Sequence, residues 1–290
     1  MNWQVALKLG RISNLPTVWT NVLAGLVLAG GAIGDSRVPW LLLALSLCYM
    51  AGMFLNDAFD REFDARHRPE RPIPSRQVAA ATVFGAGFAM LAGGVALLVW
   101  VGRGFAEGTG WRPAVAGITL GAAIVFYDWH HKQNSLSPVV MGLCRMLVYA
   151  IAGYAFVADP PLRVFFMGFL LLCFLIGLTY IAKQEHLEHV ANLWPLAFMA
   201  VPLFWGLYAS LKDAIVAGIG LLFLLWVLYS LSFLWRRRPG DVPRAVGGLL
   251  AGICLWDALV MAAAGQPSVA AVALVLFALT LLLQRYVSPT

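Results

Sequence analysis

Charged side chains are scarce in this 290-residue sequence. Asp, Glu, Lys and Arg together make up 12% of it, while 61% of the residues are hydrophobic. Average soluble domains carry about 25% charged residues. A soluble globular chain is therefore excluded, and the surplus apolar surface has to face lipid. Polar connecting stretches are missing too: there is no Gly/Ser linker, no low-complexity tract and no internal repeat, so residues 1–290 read as one domain. Cysteine is sparse. Cys48, Cys144, Cys173 and Cys254 all lie inside apolar runs, where a thiol packs as a small hydrophobe, so neither a disulfide framework nor a cysteine metal cluster is expected. A cleavable leader is not expected either, because Met1–Gly10 is polar and amphipathic and the apolar run after Pro16 is long enough to span.

What is present is a succession of apolar runs of about 20 residues, the length that crosses a hydrocarbon core of about 30 Å. Backbone groups in lipid must be satisfied within a helix or a closed barrel, and continuous runs rather than strict alternation decide for helices. Spans are expected at Leu15–Ala32, Pro39–Asn56, Gln77–Val101, Pro113–Tyr127, Pro138–Val157, Leu162–Ala182, Leu193–Leu211, Ala214–Trp235, Arg244–Ala264 and Ser268–Gln284. The seventh contains Pro195 and Pro202 and the fourth is short. The expected fold class is all-α, a polytopic transmembrane helical bundle of about nine or ten spans.

The loops alternate between two kinds. One side holds Lys8, Arg11, Arg61, Arg66, Arg68, Arg71, Arg76, Lys132, Lys183, Arg236, Arg237, Arg238, Arg244 and Arg285; the other holds Arg37, Arg103, Arg112, Arg163 and Lys212. By the positive-inside rule both termini and the basic loops lie in the cytosol, as in a protein of the bacterial inner (cytoplasmic) membrane. The net charge of +6 is thus a topology signal beside the lipid bilayer, and no nucleic-acid partner is expected. All five histidines and most of the acids fall on the same side. Trp100, Trp111, Trp194, Trp205 and Trp235, near span ends, read as an interfacial belt. Nothing in the sequence fixes an oligomeric state.

The chemistry-bearing segment is Asn56-Asp57-Ala58-Phe59-Asp60-Arg61-Glu62-Phe63-Asp64, at the cytosolic end of the second span. A helix continuing past the membrane boundary would place Asp57, Asp60 and Asp64 on one face, with Asn56 a turn before Asp60. Like charges at that spacing repel, so a divalent cation is the economical reason for gathering them. Magnesium takes oxygen ligands, usually one or two carboxylates plus substrate phosphates. The alternative is a solvated acidic helix end. Arg66, His67, Arg68 and Arg71 follow, and would complement a bound diphosphate.

Two ionisable residues lie within spans, Arg145 and Asp257. An intramembrane charge costs at least about 2.5–3.5 kcal/mol on insertion scales and by default faces the interior, paired or functional. Arg145 is expected near the polar end of a pocket. Asp257 is either functional or a structural partner hydrogen-bonded to another helix. Asn21, an amide among apolar residues of the first span, needs a partner.

At the Asn56–Asp64 segment the sequence resembles the UbiA superfamily of intramembrane prenyltransferases. Its first motif has the form Asn-Asp-x-x-Asp-x-x-x-Asp, followed by an Arg-Pro element that Arg71-Pro72-Ile73-Pro74-Ser75 fits. Tyr127-Asp128-Trp129-His130-His131-Lys132 looks like the superfamily's Tyr-Pro-x-x-Lys-Arg loop, with Asp128 in place of Pro and His131 in place of Lys. Met141-Gly142-Leu143-Cys144-Arg145 is similar to its Gly-containing fifth-span segment. The second motif, Asp-x-x-x-Asp after the sixth span, departs here: Lys183-Gln184-Glu185-His186-Leu187-Glu188-His189 offers Glu185 and Glu188, which either serve a metal or belong to an ordinary interfacial loop. Superfamily members often carry a basic residue where Arg11 stands, so Arg11 is either a cavity residue or a cytosolic anchor.

The resemblance implies a central cavity open to the cytosolic side and a Mg2+ cofactor held by Asn56, Asp57, Asp60 and Asp64 with Glu185 and Glu188. It implies catalytic roles for Asp57, Asp60, Asp64 and Lys132, and substrate contacts by Asn21, Asn56, Arg61, Arg68, His131 and Arg145. The expected partners are a prenyl diphosphate, with its long apolar tail among the helices, and a lipophilic or aromatic acceptor. The expected reaction is prenyl transfer with release of diphosphate. Two other functions stay open: a terpene cyclase, in which the substrate's own double bond is the nucleophile, and a non-catalytic isoprenoid or lipid carrier.

Overall fold

The computed structural model describes residues 2–132, 134–184, 194–236 and 238–288, and no strand forms among them. A short amphipathic helix, α1 (Trp3–Leu9), leads through a 3-10 turn at Ile12–Asn14 into α2 (Leu15–Ala29). Next come α3 (Val38–Phe59), the short α4 (Arg61–His67), α5 (Ala80–Arg103), α6 (Arg112–His130) and α7 (Ser137–Phe156). The chain continues with α8 (Leu162–Lys183), α9 (Ala197–Ser210), α10 (Ala214–Arg236), α11 (Asp241–Ala263) and α12 (Pro267–Leu283). Prolines sit in the first turn of α2, α3, α6, α7 and α12. There the fixed φ suits the helix and the missing N–H has no intrahelical partner to lose.

A helix stands at each of the ten places where a span is expected, and 7 stretches are long and apolar enough to cross a membrane. The other three are α6, which has sufficient length but is the least apolar of the ten, and the shorter α9 and α12. With 14 and 17 residues, α9 and α12 rise about 21 and 25 Å at 1.5 Å per residue, short of a core of about 30 Å.

Helices α2 and α11 form the buried axis, and from Ala245 to Ala262 almost every side chain of α11 is buried. Small residues let backbones approach. A Cβ on Gly25 of α2 would lie 2.7 Å from the Tyr149 carbonyl oxygen and 2.8 Å from the Ala152 Cβ on α7, so only glycine permits this contact, as in other helix pairs packed without a hydrophobic driving force. The outer helices bury one face only. Val115 and Ile118 of α6, Leu221, Leu225 and Leu228 of α10 and Val275 of α12 are exposed, an apolar outer surface of the kind that marks contact with lipid. Trp100, Trp111, Trp194 and Trp235 are exposed as a belt requires. Trp205 instead turns inward, its ring centroid 5.4 Å from that of Trp256.

The two ends of the bundle differ. At one, Arg37 closes the structure by donating to Asp35 and to the carbonyl oxygens of Glu107 and Ala155. At the other, the N-termini of α2, α5 and α7 meet the C-termini of α3, α6 and α8, and the ionisable side chains gather there.

Candidate active site

The acidic segment forms with one alteration to the expected continuous helix. Helix α3 stops at Phe59, Asp60 takes a turn conformation (φ −80°, ψ −1°), and α4 restarts at Arg61. The bonds from Asp60 N to Asn56 O and from Asp64 N to Asp60 O, both 2.9 Å, still bridge the break. The four-residue register therefore survives, and Asn56, Asp57, Asp60 and Asp64 are all buried. The turn swings α4 so that Asp64 comes under the segment that follows it, where Arg71 returns.

Three carboxylates withdrawn from water need countercharge, and each has it. Arg71 Nη1 donates to Asp57 Oδ1 at 3.2 Å and to Asp64 Oδ2 at 2.9 Å. Arg11 Nη2 donates to the same Asp57 oxygen at 3.1 Å. Arg11 reaches it from the left-handed backbone region (φ 41°, ψ 50°), which non-glycine residues rarely adopt, and Tyr49 donates its hydroxyl to the Arg11 carbonyl at 3.1 Å. Lys132 Nζ lies 3.0 Å from Asp60 Oδ2 and 3.3 Å above the Phe63 ring. His131 stacks on Tyr127 with Nε2 3.6 Å from the same Asp60 oxygen. Burial pushes the Asp60 carboxyl up, against the pull of His131 and Lys132. Burial likewise pushes the His131 imidazole down, against the pull of Asp60. Desolvation wins in both cases, so His131 acts at neutral pH as a neutral ring. From α8, Lys183 Nζ binds the His131 and Asn134 carbonyls and Ser137 Oγ at 2.8–3.0 Å, fixing the loop that carries His131 and Lys132.

Beneath this polar end an apolar cavity of about 200 Å³ runs among α3, α6, α7 and α8, walled by residues such as Leu45, Leu120, Ile124, Val148 and Leu178. Arg11, Tyr49 and Asp128 line it as well, and Arg145 reaches its wall. Behind Arg145 lies a buried chain of hydrogen bonds. Arg145 donates to Asn21 Oδ1 at 2.9 Å and to Thr17 Oγ1 at 3.1 Å, Asn21 donates to Asp257 Oδ2 at 2.7 Å, and the Tyr149 hydroxyl donates to Asp257 Oδ1. Asp257 is thus a partner of two other helices. A second, polar crevice lies beside Asp60, Phe63, His131 and Lys132.

The expected site residues divide by position. Asn56, Asp57, Asp60, Asp64, His131 and Lys132 come together. Arg145 lines the cavity, and Asn21 stands one residue behind it. Arg61 turns away: it donates to the Ala58 carbonyl and Glu62, and its guanidinium stands 5.9 Å from the Phe84 ring centroid. Arg68 follows α4, and its carbonyl accepts the Arg71 N–H at 3.1 Å in the turn that brings Arg71 back. Glu185 and Glu188 lie outside the described residues. Arg71, expected among the basic residues after the motif that would complement a diphosphate, clamps Asp57 and Asp64 instead of standing apart, and Arg11, left open between anchor and cavity residue, lines the cavity and pairs with Asp57. One participant was not among the expected site residues. Asp128 was visible as a departure from the superfamily loop.

Among the described residues no three acidic or histidine side chains converge closely enough to enclose a metal by themselves. The buried donors are oxygen atoms, which suits a hard cation. Arg11 and Arg71 take Asp57 through Oδ1, and Lys132 takes Asp60 through Oδ2, so one oxygen of each carboxylate is left outside these pairs. Such a set fits a metal completed by ligands from a bound phosphate group rather than one caged by protein.

Comparisons with known proteins bear on the family and the fold. A digeranylgeranylglyceryl phosphate synthase of Methanopyrus kandleri is 28% identical over 264 residues, 87% of this chain and 90% of its own. A chloroplast chlorophyll synthase of Arabidopsis thaliana is 27% identical over 138 residues, 43% of this chain and 33% of its own. The apo structure of a UbiA homolog from Aeropyrum pernix K1 superposes with a TM-score of 0.66 at 16% identity, covering 91% of this chain and 96% of that one. A structure described as concerning digeranylgeranylglyceryl phosphate synthase in membranes gives a TM-score of 0.60 at 15% identity, over 90% and 98% of the two chains. The family profile described as UbiA prenyltransferase family matches residues 18–246. With its apolar helices, its polar end and a match over most of its length, this integral membrane protein belongs to the UbiA prenyltransferase family.

Proposed function

We propose that the chain, acting as one domain, transfers a prenyl group from a prenyl diphosphate to a lipophilic acceptor within the membrane, with Mg2+ as cofactor. One observation carries the reading: an apolar cavity, matched to a hydrocarbon tail, has Arg11 and Asp128 in its lining, and these adjoin buried carboxylates and cations matched to a metal-bound diphosphate, Arg11 through its pair with Asp57 and Asp128 through the crevice it shares with Asp60 and Lys132. Asn56, Asp57 and Asp60 would hold the metal, with Asp64 anchoring Arg71. Glu185 and Glu188 would supply further ligands. When bound, the metal supplies positive charge that stabilises the leaving diphosphate.

The chain's own residues do the rest. Arg11, Arg71 and Lys132 bind diphosphate oxygens with charge-assisted hydrogen bonds, and the cavity walls hold the tail and exclude water. The allylic C–O bond breaks with its electron pair going to the diphosphate. A new bond forms between that carbon and the acceptor nucleophile, and the acceptor's proton passes to the released diphosphate. Arg145, on the cavity wall, orients a substrate group. The name of the Methanopyrus relative suggests a prenylated glyceryl phosphate as acceptor class. The clustering of basic residues at the site end supports a cytosolic-facing site with both termini on that side.

The test is turnover of geranylgeranyl diphosphate by purified protein in lipid, with Mg2+ and a total lipid extract. The expected result is Mg2+-dependent diphosphate release coupled to a prenylated lipid, abolished in Asp60→Ala. Cyclic hydrocarbon formed without acceptor would transfer the reading to a cyclase. Tight binding of geranylgeranyl diphosphate with no diphosphate release would make the protein a carrier.

A further inference from the structure

Among the described residues, Asp128 alone lines both the apolar cavity and the polar crevice beside Asp60 and Lys132. It stands where a hydrocarbon tail would join a charged head. Its side chain is 4% exposed. Oδ1 accepts a hydrogen bond from Asn56 Nδ2 at 3.2 Å, while Oδ2 is buried with no hydrogen-bond partner. Buried polar atoms are nearly always satisfied, and an orphan marks an absent ion or ligand or a functional strain.

The other acids of the site do not share this condition. Asp57 and Asp64 are clamped by Arg71, and Asp60 by Lys132. Oδ2 of Asp128 is the one buried carboxylate oxygen without a partner among the described residues. Asp128 is buried, and the acids Asp60 and Asp57 act on it together with Arg11, so a small cation at Oδ2 would satisfy the orphaned oxygen and offset the repulsion among the three acids. The hydrogen bond from the Asn56 amide nitrogen holds the Asp128 carboxylate beside Asn56 and leaves the Asn56 amide oxygen outside that bond.

We propose that Asp128 is a metal ligand in this chain, its Oδ2 joining Asn56 and Asp60 in holding a divalent cation shared with the substrate diphosphate. The inference rests on the metal-dependent reading above. It adds a carboxylate from α6, at a position where the superfamily loop has proline.

The experiment is a Mn2+ titration of full-length protein in nanodiscs with inorganic diphosphate, reading free Mn2+ by electron paramagnetic resonance. Wild type is expected to bind Mn2+ saturably. Asp128→Asn, which keeps the acceptor for Asn56 and removes the charge, is expected to bind at least about tenfold more weakly, as is Asp60→Asn. Asp128→Glu is expected to recover part of the loss. Wild-type affinity in Asp128→Asn beside a loss in Asp60→Asn would overturn the inference and leave the metal reading standing. Absence of diphosphate-dependent Mn2+ binding in wild type would overturn both. A second measurement needs no variant: Fe2+ with ascorbate and peroxide should cut the wild-type chain near residues 57–60 and near 128, and cutting only at the first place counts against Asp128.

Discussion

Arg11 and Asp57 are joined by a 3.1 Å ion pair across 46 residues of sequence, and Arg11 adopts a left-handed backbone to make it. The cost of that backbone, about 1–2 kcal/mol, is borne at the mouth of the cavity, where strain accompanies function more often than packing does. Replacement by glycine relieves the backbone and removes the cation, whereas replacement by alanine removes the cation alone. Arg11→Gly is therefore expected to unfold at a higher temperature than Arg11→Ala. Both should raise KM for the prenyl diphosphate about tenfold or more, the worth of a charge-assisted bond of about 1.5–3 kcal/mol. An unchanged KM in both variants would confine Arg11 to a structural role.

The bundle was legible because hydropathy over about 20 residues is a strong signal. The acidic segment was legible because three carboxylates at helical spacing repel one another unless a cation neutralises them. What could not be read was direction. Arg61 and Arg71 are both arginines beside the motif, yet the break at Asp60 sends Arg61 outward onto Phe84 and the turn after Arg68 brings Arg71 inward. Sequence spacing along a helix says nothing of a seven-residue helix that restarts at a new angle. Asp128 and Arg11 acquire their meaning only from the helices opposite them.

The contact at Gly25 sets a limit on the α2–α7 interface. With Tyr149 O at 2.7 Å and Ala152 Cβ at 2.8 Å from a modest Cβ, backbone rather than a flexible side chain would have to shift. Overpacking a close interface costs about 1–3 kcal/mol. Gly25→Ala is expected to lower thermal stability by that order in detergent, and Gly25→Leu to prevent recovery of folded protein. Gly85, whose Cβ would meet nothing within 4 Å, is the control: Gly85→Ala should leave the melting temperature unchanged or raise it.

Behind Arg145, which lines the cavity, the buried Asn21, Asp257 and Tyr149 hold three helices together, and Asp257 is fully enclosed and outside the cavity lining. Removing one member of a buried charged network strands the others, at about 3–5 kcal/mol. Asp257→Ala should therefore destabilise the protein by that order, and Tyr149→Phe by about 1–3 kcal/mol. Because both act on one carboxylate, the double variant should lose less than the sum. Protein that does fold should keep the wild-type KM for the prenyl diphosphate. A large KM change at equal stability would instead bring Asp257 into the substrate site.

At the opposite end, Arg37 and Asp35 make a clamp that weakens in acid. Arg37 Nε and Nη2 donate to the Asp35 carboxylate at 2.9 and 2.6 Å, and the Arg37 guanidinium beside it holds the Asp35 carboxyl below its ordinary value. A carboxylate with a depressed folded pKa contributes stability in full above its unfolded pKa of about 3.9. That contribution is lost as pH falls through the folded value. Asp35→Asn should therefore melt below wild type by a constant margin from about pH 5 to pH 8. The margin should narrow as the solution is acidified below about pH 4, where the carboxyl of the unfolded wild-type chain takes up a proton that the folded one, paired with Arg37, still refuses. Melting curves of the two proteins in the same detergent across that range measure the difference directly. A margin that widens on acidification would mean that Asp35 is not held ionised by Arg37.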